Sequence, residues 1–178
     1  NIQTGEMHDI DLKLIGWPWA VNNFSWVEPT SWACLALRAA GQGQHPRVRE
    51  GLNLLLDRAM DDGGINYGNR RILGKNTEPI PGPTALMLLA VQGLRHPRID
   101  AAARYLLQEC ATSDLEHLCW ARLALGCSLE APAPDLEQRL RALPEGFVPD
   151  PQEGRNRALR PALTARLLAD PVVYWDEL

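Results

Sequence analysis

The sequence predicts an all-α fold of stacked helical hairpins, and three observations carry that expectation. A long motif recurs: "PTSWACLALRAAGQGQHPRVREGLNLLL" from Pro29 returns as "PTALMLLAVQGLRHPRIDAAARYLL" from Pro83. In each copy an apolar run is followed, after a His-Pro-Arg triplet, by a segment with helical spacing. Strand signals are scarce, since aromatics are 6% of the chain and no clear two-residue alternation occurs. Self-similarity of this length marks units that bury their faces only by stacking on neighbours.

Residues 1–28 read as an aromatic, non-helical lead-in and 29–178 as one repeat domain. Trp17, Trp19, Trp26 and Trp32 cluster with Phe24 in "GWPWAVNNFSWVEPTSW". Aromatics in such a place seal the open end of an array by burying area, or line a cavity and attract cations. The Trp-Pro-Trp stretch suits the seal. In the first unit an inner helix starts at Pro29. The outer helix follows, with Val48, Leu52, Leu55, Leu56 and Ala59 on one stripe.

The connection "DDGGINYGNRRILGKNTEPIPGP" from Asp61 is longer than the roughly 12 to 15 residues usual for structureless loops. Its glycines and asparagines permit a compact turn. Its backbone N–H groups, beside Arg70, Arg71 and Lys75, also suit an anion. Asn66, Tyr67, Asn69 and Arg70 are its candidate ligand-binding side chains.

In the second unit Thr84 to Val91 is apolar on every side except Thr84, so this inner helix must be enclosed. Ile99, Ala103, Leu106, Leu107 and Cys110 form the second outer stripe. "HLCWARLALG" from His117 and "APDLEQRLRAL" from Ala133 give a third pair, the latter with Leu136, Leu140 and Leu143 in register. A fourth unit opens in "LRPALTARLLAD" from Leu159, with Pro161 in its first turn. The total is about three and a half hairpins.

His45 and His96 recur in register, which raises the question of a metal. Pro46 and Pro97 suit the first helical position, so each histidine falls at a helix cap. Such turns on neighbouring repeats would lie about 10 Å apart, too far to share one ion. The capping role is therefore expected. Cys34, Cys110, Cys119 and Cys127 show no CxxC or CxxH spacing, and most lie in apolar helical patterns. They read as small hydrophobes in a reduced, cytoplasmic setting. No metal or cofactor is expected.

A net charge of -4 and a pI near 5.6 argue against a nucleic-acid partner. No stretch approaches the roughly 20 apolar residues of a membrane span, and no signal-peptide pattern is visible. The chain opens at Asn1, and an open array would leave its end helices uncovered. Further hairpins of a longer polypeptide, or another copy, are expected to cover them.

Two stretches carry a family resemblance. "VREGLNLLLDRAMDDGGI" from Val48 resembles the QW-type repeat of squalene and hopene cyclases, a basic–Gly pair, an aromatic–Leu pair, then QxxDGGW. Gly51, Leu55, Leu56 and Asp62-Gly63-Gly64 match, while Ala59 takes the glutamine position and Ile65 the tryptophan position. "WVEPTSWACLAL" is similar to the segment in which class II cyclases hold the proton-donating DxDD, with Trp26, Glu28 and Pro29 at the aspartate positions. The resemblance covers about Trp17 to Leu125. It implies the α/α-toroid of terpene cyclases and protein prenyltransferase β subunits, here as an incomplete ring, in which hairpins circle an apolar cavity.

Only one carboxylate survives at the acid motif. Glu28 precedes Pro29 near the positive end of a helix, a field that favours its ionised form. The implied function is a non-catalytic module binding an apolar or isoprenoid molecule, or another protein. The alternative is an active enzyme on an isoprenoid or similar apolar substrate, with Glu28 as acid and Trp19 and Trp26 near the cation. The zinc set of prenyltransferases has no good counterpart, Cys110 with Asp114 and His117 lacking the context.

Overall fold

The computed structural model describes residues 9–110 and 115–128. Five helices account for most of them: α1 (Val27–Ala39), α2 (Pro46–Arg58), α3 (Pro81–Ala90), α4 (Pro97–Glu109) and α5 (Leu115–Ser128). The expected all-helical chain also holds a two-stranded antiparallel hairpin, β1 (Arg71–Ile72) with β2 (Lys75–Asn76). No alternating run announced it, because both strands are two residues long and exposed. Leu73 and Gly74 turn it, both at positive φ.

Helix α3 lies between α1 and α5, with α2 packed on α1 and α4 on both α3 and α5. In the first two units the apolar-run helices α1 and α3 thus pack on one another, and the striped helices α2 and α4 pack on them. Every residue from Pro83 to Val91 is buried. With no polar face to turn to water, α3 is stable only where neighbours cover it. Removing Leu86, Met87, Leu88 and Leu89 from water favours the fold by about 1.5–3 kcal/mol each. Helix α5 supplies the third inner member through Leu118, Cys119, Ala121, Ala124 and Leu125. The segments from Ala133 and Leu159 lie outside the described residues.

The helices begin earlier than expected. Pro29 and Pro83 are third residues of α1 and α3 rather than first. The missing N–H is still harmless there, since the first four helical amides have no internal partner. On α2, Val48, Leu55 and Ala59 are buried, with Leu52 and Leu56 packed against the core. On α4, Ile99, Ala103, Leu106 and Cys110 are buried, but Leu107 is 43% exposed. The seam runs instead through Ala102, whose small side chain lets the helix approach closely, and Leu107 falls one position beyond it.

The His-Pro-Arg triplets do three jobs. His45 Nδ1 accepts from the Arg47 amide at 3.1 Å, and His96 Nδ1 from the Arg98 amide at 3.2 Å. Each proline follows as the first helical residue. The arginine then reaches backwards: Arg47 Nη2 donates to Gly16 O at 2.9 Å, and Arg98 Nη1 to Leu56 O at 2.9 Å. The recurrent histidine is a cap.

Arg58 is a charge in the deep core that sequence spacing did not flag, and Arg122 of α5 is buried as well. Arg58 pairs with Asp57 and donates to Asp11 O, and burial lowers its pKa. Cys34 is a buried thiol whose pKa burial raises to about 11, so it packs and does not react.

Candidate functional site

The inner helices start from the same hydrogen-bonded knot. In the second unit the Ile65 amide donates to Thr84 Oγ1 at 3.0 Å, and Ile80 N donates to Ile65 O at 2.9 Å. In the first, the Trp17 amide donates to Thr30 Oγ1 at 2.9 Å, and Trp26 N to Trp17 O at 3.1 Å. Gly16-Trp17 therefore stands where Gly64-Ile65 stands one unit later. The repeat starts upstream of Pro29, inside the aromatic lead-in. The usable signal was a Gly–apolar pair before each Pro-Thr. It is hidden because the separations are 13 and 19 residues, a difference equal to the 71–76 hairpin.

The Asp-Gly-Gly match is a packing device. Gly63 and Gly64 have φ of +123° and +78°, and a Cβ on them would lie 2.6 Å from Ala101 O and 2.6 Å from Pro79 Cβ respectively. Tyr105 covers them, its hydroxyl donating to Pro79 O at 3.1 Å while burial raises its pKa to about 12.

Of the loop candidates, Asn66 is 8% exposed and fully engaged by the loop itself. Its Nδ2 donates to Thr77 Oγ1 at 2.7 Å and Asn69 O at 2.9 Å, and its Oδ1 accepts from the amides of Gly68 and Asn69. Asn69 takes part through its backbone. Arg70 donates through Nη2 and Nε to Asp9 O at 2.6 and 3.0 Å. Tyr67 has an exposed ring, and its carbonyl accepts from Val27 N at 3.1 Å, which ties the loop to α1. A cleft of about 240 Å3 beside the loop is lined by Asp9, Asp61 and Asp62 against Arg70. Three carboxylates to one guanidinium repel the anion that the glycines and basic residues suggested.

Glu28 sits in the first turn of α1, half-buried. Burial raises its pKa, a shift opposite in direction to the one a helix-end field produces. Among the described residues its carboxylate makes no salt bridge. One turn on, Trp32 occupies the same face and is 45% exposed. Its ring meets Trp120 of α5 edge-on, centroids 5.9 Å apart at 69°. Ala36, another turn along, is exposed too.

The expected tryptophan cluster is thus divided. Trp26 packs edge-on against Phe24 at 5.3 Å, and Trp17 lies under the Arg47 guanidinium at 4.6 Å. These seal the lead-in onto the repeats. Trp19 is 63% exposed on the lead-in loop. The aromatic neighbour of Trp32 is Trp120, which the sequence placed on an inner helix but did not single out.

Among the described residues no group of three or more His, Cys, Asp or Glu side chains is placed to hold a metal. No described helix is long and apolar enough to cross a membrane. No known protein family, curated protein or solved structure matches this chain.

Proposed function

We propose that this chain is an α/α-toroid-like repeat domain, akin in plan to terpene cyclases and prenyltransferase β subunits, that binds an apolar ligand without transforming it. The observation that supports this is the uncovered stripe on α1, Glu28, Trp32 and Ala36 at successive turns, with Trp120 beside it. Inner-layer helices have little reason to show water a tryptophan unless something apolar covers it. A single carboxylate lacks the neighbouring acids with which alkene-protonating sites sharpen a proton donor. The same stripe is where further hairpins of a longer chain, or a second copy, would join.

The test is tryptophan fluorescence titrated with farnesol, a neutral isoprenoid alcohol. Saturable quenching in the parent protein and its loss in Trp32→Ala are expected. A flat titration up to the solubility limit sinks the reading. One observation favours the catalytic alternative: burial keeps Glu28 protonated to higher pH than an ordinary glutamate. That alternative requires an isomerised or cyclised product from an isoprenoid alkene, seen by mass spectrometry and absent with Glu28→Gln.

A further inference from the structure

A second opening lies at the other end of the inner helices, where the first and second units meet. It is a groove of about 460 Å3, between α2 with the turn before it and the turn that follows α3. That volume falls within the roughly 300–1,000 Å3 of small-molecule sites. Its ionisable lining groups are Arg38, His45 and Arg49, with no carboxylate among them. This is notable in a chain of net charge -4.

The three cationic or donor groups are differently held. Arg38 is anchored, since its Nη1 donates to Ala90 O at 2.9 Å and Gln92 O at 3.1 Å. Those bonds leave its Nε and Nη2 edge unengaged among the described residues. His45 uses Nδ1 as the acceptor of its cap, so Nε2 carries the proton and remains a donor. Arg49, exposed, makes no ion pair or hydrogen bond among the described residues and adds a second arginine charge. The N-terminal end of α2 contributes positive potential in the same place.

Two further features shape the ligand. The side-chain oxygen of Gln92 is buried without a hydrogen-bond partner. Leu52 and Leu94 supply apolar wall, the latter exposed.

We propose that this groove binds a small anionic amphiphile, its carboxylate or phosphate head on Arg38, His45 and Arg49 and its short apolar chain on Leu52 and Leu94. The site is independent of the Trp32 stripe.

Calorimetric titration of the whole chain with hexyl phosphate and with hexanoate, against hexanol as a neutral control, tests it. At least one anion should bind saturably and hexanol should not, with the tighter of the two identifying the head group. Arg49→Gln should weaken binding about tenfold, the loss of one charge-assisted hydrogen bond. Gln92→Glu, which sets a carboxylate in the groove, should weaken it as well, while Arg71→Gln on the distant hairpin should not. Absence of saturable binding by both anions at millimolar concentration overturns the proposal. So does equal binding of hexanol, or unchanged affinity in both groove variants.

Discussion

The first and second units enter their inner helices by the same hydrogen bonds but fill the junction differently. Around Thr84 the knot is sealed: Ile65 is fully buried, and Tyr105 presses on Gly64. Around Thr30 the hydroxyl is as deeply buried, but the filler is a half-buried Trp17 capped by the Arg47 guanidinium, with Leu54 near Gly16 as Tyr105 is near Gly64. The threonine and its two backbone partners are what the junction requires. The apolar filler can be an indole or an isoleucine, provided something covers it. The 71–76 hairpin is an addition to the second junction, since Thr77 N already donates to Arg70 O across its base at 3.0 Å.

The largest test of that contrast lies in the glycines. Gly64→Ala combines a positive φ with contacts of 2.6 Å to Pro79 and 2.8 Å to Tyr105. It should cost about 3 kcal/mol or more, against about 2 kcal/mol for Gly16→Ala, where a Cβ meets Thr30 Oγ1 at 2.3 Å but φ is not in the left-handed region. Urea unfolding measures both, and the reverse order would break the comparison. Next come the threonines. Thr84→Val strands the buried Ile65 amide and should cost about 2 kcal/mol, while Thr30→Val, beside the half-buried Trp17, should cost about 1 kcal/mol.

Deletion of residues 71–76 should change stability by no more than about 1 kcal/mol, because shortening a surface loop alters closure entropy only slowly. Loss of the cooperative thermal transition would show that the hairpin belongs to the core of the unit. The smallest effect concerns Glu28. Its folded carboxyl holds a proton to higher pH than in the unfolded chain. The stability it contributes is present below the unfolded value and is lost as pH rises through the folded one. Urea melts across that acidic window should show the parent falling relative to Glu28→Gln. Parallel curves would place Glu28 in an ordinary solvated setting.

Periodicity alone distinguished the enclosed α3 from the one-sided α2 and α4, because a segment with no polar face can only be enclosed and a one-sided stripe can only be half-wet. The triplet at His45 and His96 was legible for the same reason: proline fixes a first helical turn, and an acceptor before it caps that turn. Side-chain partners beyond the local helix were not legible. Asn66 carries the chemistry of a binding residue, yet the loop folds onto it and uses every polar atom. Glu28 has the position of an ionised helix-start acid, yet the fold takes away part of its water and raises its pKa. Trp32 finds Trp120 across two helices, and Trp17 takes the place of Ile65 only once a hairpin is discounted. The sequence determined which faces must be buried, since burial follows from the residues of one helix. Tertiary structure decided which polar groups remain available, because that depends on desolvation and on partners brought from elsewhere in the chain.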